Sequence, residues 1–133
     1  MVDVANVMGS RPDGWWRDRA GAAVRLHAEV VRLAASGRAI VPDEPGSPGE
    51  TDRPGFVLVL EGAAKAAAVR LPSDAEVRVV QARGSGDDAI VDLVRELPGR
   101  RVVVTADREL RERSVAAGAT ILGPGWLLGL LRD

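Results

Sequence analysis

Four acidic residues of this 133-residue chain stand where strands of a predicted sheet end. Asp3 lies near the end of the first predicted strand, and Glu61 directly follows the second. Asp87 begins the helix after the third strand, and Asp107 comes two residues after the fourth. The carboxyl ends of parallel strands share the edge at which open α/β sheets bind ligands. We therefore expect these carboxylates to converge.

Converging carboxylates repel each other unless a cation or a proton lies among them. Oxygen ligands suit Mg²⁺ or Mn²⁺, and such an ion can activate water and neutralise a phosphoryl group. The spacing thus points to the hydrolysis of phosphate esters or phosphodiesters. Asp87 and Asp107 have an alternative use, because acids at a helix N-terminus complement the helix dipole. Asp3 and Glu61 begin no obvious long helix, so capping explains them less well.

Three neighbouring polar residues are candidates for supporting roles. Asn6 comes shortly after the first strand, and Asp88 follows Asp87, where it either assists or caps the helix. Thr105 ends the fourth strand, where its hydroxyl can bond a carboxylate or a metal-bound water.

Arginines that follow the first strand are candidate phosphate ligands. Residues 11–40 carry six Arg against three acids, and Arg11, Arg17 and Arg19 are the three nearest to Asp3. Arginine forks match phosphate oxygens, although a solvated start of the next helix explains the same residues. Trp15 and Trp16 can stack on bases or anchor that helix in the core.

Composition excludes several other kinds of site. The chain has no Cys and one His, His27, so Cys-based zinc sites and His-rich metal sites are ruled out. His27 falls on an apolar helix face, where a packed core residue is the favoured interpretation. The net charge of −1 does not mark a nucleic-acid-binding protein as a whole. The sequence contains no targeting or membrane-spanning pattern, so we expect a cytoplasmic protein without membrane contact.

Strands alternate with helices along one predicted domain over residues 1–133, which indicates a parallel sheet of about five strands with helices on both faces. The predicted strands are Met1–Ala5, Phe56–Leu60, Glu76–Ala82, Arg101–Thr105 and Ala119–Leu122. The predicted helices are Trp15–Ser36, a short Ala-rich helix after Gly62, Asp87–Leu97, Asp107–Ala117 and one from Pro124. Val41–Gly55 is rich in Pro, Gly and acids and is predicted to be a mobile loop. The apolar stripe around Trp126 predicts core packing, or a homodimer surface if it stays exposed.

Three motifs resemble those of NYN/PIN-like ribonuclease domains. Val2–Gly9 places an Asp and an Asn three residues apart after the first strand. Gly86–Val91 resembles the family's acid followed by an apolar helix, and Val103–Leu110 resembles its V-T-S-D block with Ala106 in place of Ser. The order and spacing fit over essentially the whole chain. Only Met1 and Val2 precede Asp3, whereas the family's first strand starts earlier, which implies a misassigned start or a short central strand.

The resemblance implies a Rossmann-like three-layer α/β/α fold with strand order 3-2-1-4-5. It also implies a Mg²⁺- or Mn²⁺-dependent nuclease that acts on single-stranded RNA and leaves a 5′-phosphate. Asp3, Asp87 and Asp107 would then be the catalytic metal ligands, with Asn6 orienting Asp3 or the substrate. Glu61 stands where relatives often have an Asp. Two alternatives stay open: a Mg²⁺-dependent hydrolase of nucleotides or small phosphate esters, and a degenerate nuclease-like domain that only binds RNA or protein.

Overall fold

A five-stranded parallel sheet organises the computed structural model, which describes residues 1–41 and 54–132. The strands lie in the order β3-β2-β1-β4-β5, so the predicted fold class and strand order are confirmed. Their bounds are β1 Val2–Asp3, β2 Phe56–Leu60, β3 Val77–Gln81, β4 Val102–Val104 and β5 Thr120–Leu122. Most of the predicted 41–55 loop, residues 42–53, lies outside the described residues.

Helices cover the two faces of this sheet. They are α1 Val4–Gly9, α2 Arg19–Ser36, α3 Gly86–Glu96, α4 Arg108–Ala116 and α5 Pro124–Leu131, with 3₁₀ helices at Trp15–Arg17 and Gly62–Arg70. One core cluster joins α1, α2 and α5 to the sheet, and a second joins α3 and α4. The near-continuous apolar runs of β2 and β4 are explained by these two layers, because each strand is buried on both faces. Within the two described ranges, no helix is both long and apolar enough to cross a membrane.

The central strand β1 is shorter than predicted, and the prediction of a strand over Met1–Ala5 is wrong beyond Asp3. The Asp3 carboxylate accepts the Asn6 N–H at 3.3 Å and caps α1, so the chain turns into a helix at Val4. Val2 still pairs with strands on both sides, opposite Leu58 and Val104. Met1 extends the ladder, because its carbonyl accepts the Val104 N–H at 2.9 Å. The abrupt turn brings Asp3 and α1 to the carboxyl edge of the sheet.

The long helix predicted over Trp15–Ser36 is divided in two. Asp18 leaves the helical region (φ −151°, ψ 82°), and its side chain accepts the Gly21 N–H at 2.8 Å as the cap of α2. A carboxylate that caps from within a periodic apolar pattern overrides that pattern locally. Trp16, one of the two tryptophans that could anchor this helix in the core, is consequently 55% exposed. The helix α2 ends at Ser36, as predicted, and Gly37 follows as its cap with a left-handed φ of 70°.

The apolar stripe of α5 packs mainly inwards. Leu127 and Leu128 are buried, and the partly buried Trp126, Leu130 and Leu131 pack against the same core cluster. Core packing is therefore confirmed for this stripe, and a homodimer stays a prediction.

His27 is a buried core residue, as expected, and it makes the stability of the protein pH-dependent. Its side chain is 2% exposed and its Nε2 has no hydrogen-bond partner, and burial lowers its pKa from 6.5. The unfolded chain takes up the proton first, so this contribution to stability is present above pH 6.5 and is lost as the pH falls below it. We expect wild type to lose more stability than His27→Leu between pH 7 and pH 5, by at most about 1.4 kcal/mol per pH unit.

Urea unfolding of both proteins at matched pH values measures this difference. Acids elsewhere titrate equally in the two proteins and cancel. Parallel stability curves for wild type and His27→Leu would contradict the assignment.

Candidate active site at the carboxyl edge of the sheet

Asp3 is the buried centre of the candidate site. Its side chain is 7% exposed, and both carboxylate oxygens are bonded: Oδ2 accepts from Thr105 Oγ1 at 2.9 Å and Oδ1 from the Asn6 N–H. Burial raises the pKa of Asp3, the two hydrogen bonds lower it, and the charges of Asp87 and Glu61 raise it further. The net pKa shift is upward. The fold therefore holds a carboxylate where its charge is disfavoured.

Thr105 and Asn6 tie the ends of β1 and β4 together around that carboxylate. Thr105 is fully buried, and its hydroxyl also accepts the Asp107 N–H at 3.1 Å. The Asn6 side chain accepts the Ala106 N–H at 2.8 Å. Two of the three predicted supporting residues, Asn6 and Thr105, thus lie beside Asp3, and Thr105 connects Asp3 directly to the backbone of Asp107. These hydrogen bonds lie between β1 and β4, where the strand order reverses. This position is the usual ligand site of an open α/β sheet.

Glu61 and Asp87 occupy the edge beside α3. Glu61 Oε2 accepts the Gly86 N–H, and a Cβ on Gly86 would lie 2.8 Å from that oxygen, so a larger residue would require the Glu61 carboxylate to shift. Burial raises the pKa of Asp87, and the charges of Asp107 and Glu61 raise it further. Asp87 therefore couples electrostatically to acids that arrive from two other strands.

Asp107 and Asp88 are solvent-exposed and have capping or pairing partners. Asp107 caps α4 by accepting the Leu110 N–H at 2.8 Å. Asp88 accepts from Arg113 at 2.8 Å, which links α3 to α4 and lowers the pKa of Asp88. Ser85, not Asp88, caps α3 with its hydroxyl. Asp107 and Asp88 thus have structural roles, as a helix cap and as an ion-pair partner, which the alternative interpretation of acids at helix N-termini predicts in part.

The arrangement does not form a ready metal centre. The oxygen-only donors suit Mg²⁺ or Mn²⁺ chemically. Yet in the ranges 1–41 and 54–132, no three Asp, Glu or His side chains stand close enough together to hold one ion. A metal held by Asp3, Asp87 and Asp107 stays a prediction, and it requires these side chains to move from the positions described.

Arg11, a predicted phosphate ligand, is already paired. Its guanidinium donates to both oxygens of Glu29 at 2.8 Å, and each side chain is 24% exposed. A groove of about 410 Å³ adjoins this pair. The groove is lined by the 10–13 turn, α2 and α5, and by none of the four candidate acids.

The other two predicted phosphate ligands lie over tryptophans. The Arg17 guanidinium lies 5.8 Å from the Trp16 ring centroid, and that of Arg19 lies 5.2 Å from the Trp15 centroid. The two indoles meet edge to face at 6.1 Å. Cation–π contacts of this kind account for the cluster without a ligand.

Two cations at the edge were not predicted from the sequence. Lys65 Nζ donates to the Ala82 carbonyl at 3.0 Å, where β3 ends. Arg111 Nε donates to the Thr105 carbonyl at 2.8 Å, where β4 ends. A signal does exist, because each cation follows a strand-end acid, Glu61 or Asp107, by four residues, about one helical turn.

The fold and these residues define a doubly wound α/β protein with acidic side chains at its carboxyl edge. Comparison with protein-family models, curated proteins and solved structures yields no match. The resemblance to NYN/PIN-like ribonuclease domains therefore stays a prediction that rests on the three motifs.

Proposed function

We propose that this protein is a ribonuclease that hydrolyses phosphodiester bonds of single-stranded RNA at the acidic edge, with Mg²⁺ or Mn²⁺. One observation carries the proposal: acids from four strand ends share one electrostatic field. Burial raises the pKa of Asp3 and of Asp87; the charges of Asp87 and Glu61 add to the shift of Asp3, and those of Asp107 and Glu61 add to the shift of Asp87. Convergence that disfavours the charged forms is typical of functional sites.

The chain's own contribution is to position these groups. The Thr105 hydroxyl and the Asn6 N–H fix the orientation of Asp3, and the short β1 places it at the switch point. A divalent cation, when bound, supplies an acidified water and neutralises phosphoryl charge. The bonds around Thr105 hold Asp3 and the start of α4 in register.

The openness of the edge favours a polymer over a small substrate. Asp107 is exposed and Asp87 only half-buried, so the acids do not lie in a closed pocket. Small-molecule sites typically bury most of their ligand. An extended strand, in contrast, can cross an open edge with its phosphates facing the acids.

Cleavage of an end-labelled single-stranded RNA tests the proposal. Reactions contain wild-type protein with Mn²⁺, Mg²⁺ or excess EDTA, and parallel reactions contain nucleoside triphosphates and p-nitrophenyl phosphate. We expect metal-dependent RNA products that carry 5′-phosphates, with the small esters left intact. Hydrolysis of the small esters without cleavage of RNA would contradict the ribonuclease proposal and would indicate a hydrolase of nucleotides or small phosphate esters.

A second candidate is a domain of the same fold that binds RNA without cutting it. The observation in its favour is the absence of a three-ligand cluster in the described ranges, together with an Asp3 whose two oxygens are both bonded. RNA that binds but survives intact with both metals would favour this candidate.

A further inference from the structure

Lys65 and Arg111 stand at opposite ends of the acidic edge. Ala82, which bonds Lys65, donates its own N–H to the Leu60 carbonyl at 2.8 Å, so this ammonium lies at the β3–β2 boundary. Thr105, which bonds Arg111, donates its N–H to the Leu122 carbonyl at 3.0 Å, so this guanidinium lies at the β4–β5 boundary. With β1 between β2 and β4, the two cations flank the strand that carries Asp3.

The spacing of the strands sets the distance between the two positions. Neighbouring strands lie about 4.8 Å apart, and three such intervals separate the β3–β2 boundary from the β4–β5 boundary, about 14 Å in total. One phosphate group cannot span this distance. A polynucleotide backbone that crosses the edge can present separate phosphates to both cations while another lies opposite Asp3.

Both side chains keep donors that the fold does not use. Within residues 1–41 and 54–132, each makes one hydrogen bond, although a lysine ammonium has three N–H groups and a guanidinium five. The Arg111 fork lies beside Gly123, where a Cβ would be 3.4 Å from Nη2. Anchoring through Nε leaves the two terminal nitrogens, which suit phosphate oxygens.

The hydrogen bond that Arg111 makes to the Thr105 carbonyl also has a structural explanation. In the parallel ladder, the Thr105 carbonyl would next accept from residue 124, which is a proline without an N–H. Arg111 Nε supplies the missing donor. A purely structural role for Arg111 therefore predicts a change in stability alone, whereas phosphate binding predicts a change in the salt dependence of RNA affinity.

We propose that Lys65 and Arg111 bind backbone phosphates on either side of the phosphate that faces Asp3, and so select a polynucleotide strand over a mononucleotide. This inference rests on the proposed function. It adds to that function the path of the RNA, which runs along the sheet edge from one cation to the other, and the two residues that bind its phosphates.

Fluorescence anisotropy of a labelled single-stranded oligoribonucleotide in EDTA tests the inference without cleavage. The variants are Arg111→Gln, Lys65→Met and the double variant, and affinity is measured over a range of salt concentrations. Gln carries its amide nitrogen on Cδ, as Arg carries Nε, so it keeps a donor for the Thr105 carbonyl while the charge is lost. Arg95→Gln is the matched control, because Arg95 is exposed in the last turn of α3.

We expect each single variant to reduce the slope of log affinity against log salt by about 0.7, and the double variant by about 1.4. Arg95→Gln should keep the wild-type slope, and AMP should compete only weakly. Unchanged slopes in the single variants would overturn the inference, as would a lower melting temperature with wild-type affinity. So would a wild type that does not bind the strand.

Cleavage is scored separately, so the two proposals can fail independently. Metal-dependent cleavage together with unchanged salt slopes in the variants would support the ribonuclease proposal and contradict the phosphate contacts of Lys65 and Arg111. Reduced slopes without any cleavage would support Lys65 and Arg111 as RNA-binding residues and would contradict the ribonuclease proposal.

Discussion

Replacing Asp3 by Asn is expected to lower the rate of RNA cleavage by a factor of about 10³, the upper range for removal of one charge-stabilising group. The side chain lies at the switch point, beside Thr105 and in the field of Asp87 and Glu61. Asn caps a helix as well as Asp does, so α1 should persist.

The same substitution should stabilise the protein at neutral pH. The pKa of Asp3 is raised in the folded state, so its ionisation opposes folding increasingly as the pH rises from the ordinary pKa of 3.8 through the folded pKa. Removing the charge relieves this penalty, while the Nδ2 that replaces Oδ2 can donate to Thr105 Oγ1 but no longer accept from it. We therefore expect a gain of at most about 1 kcal/mol at pH 7, at most about 4 °C in melting temperature. At pH 3 the difference should shrink, because Asp3 is then protonated in both states.

Single-turnover cleavage and thermal unfolding measure the two effects on one preparation. Asp92→Asn is the control, because Asp92 is an exposed acid of α3 that lies outside the coupled group. A stabilised but inactive Asp3→Asn protein is the expected result. Wild-type cleavage by this variant would remove Asp3 from the site.

Replacing Thr105 by Val is expected to cause the largest loss of stability among the site variants. The hydroxyl donates to Asp3 Oδ2 and accepts the Asp107 N–H, and valine offers neither. A buried carboxylate left without the Thr105 donor costs about 2–3 kcal/mol, which corresponds to a fall of about 8–12 °C in melting temperature. Loss of the donor also raises the pKa of Asp3 further, so the carboxylate is ionised to a smaller extent at a given pH.

Thr105→Ser keeps the hydroxyl and loses the methyl group, whereas Thr105→Val keeps the methyl group and loses the hydroxyl. A clearly smaller loss of stability in Thr105→Ser therefore assigns the effect to the hydrogen bonds. In the Thr105→Val background, Asp3→Asn removes the buried charge that has lost its hydrogen-bond donor. The effects of the two substitutions on the free energy of unfolding should therefore be clearly non-additive in urea unfolding. Additive free energies of unfolding would show that the Asp3–Thr105 bond does not carry the effect.

The repeating pattern of apolar strands and helices made the fold predictable. β2 matched its predicted bounds because a five-residue apolar run between turn residues has few other uses. β1 did not, because one side-chain bond from Asp3 to the Asn6 N–H ends the strand, and hydropathy carries no signal of such a cap. Asp18 divided the predicted helix for the same reason.

For the candidate site, the sequence predicted which acids lie at the carboxyl edge of the sheet, but not how their side chains pair. Strand ends placed Asp3, Glu61, Asp87 and Asp107 at one edge, because parallel topology alone decides that position. The partner of each polar group depends on side-chain rotamers instead. The pairing of Arg11 with Glu29, 18 residues away, and the bond of Asp88 to Arg113 could not be inferred from spacing along the chain.

The metal-dependent site at the acidic edge is tested most directly by single-turnover cleavage of end-labelled single-stranded RNA by wild type and Asp107→Asn, each with Mn²⁺ and with EDTA. Asn keeps the cap of α4, so the variant should fold and melt like wild type. We expect cleavage by wild type with Mn²⁺ only, and a rate at least about 10²-fold lower for Asp107→Asn. Equal rates for the two proteins, or cleavage that survives EDTA, would contradict a metal-dependent site at the acidic edge.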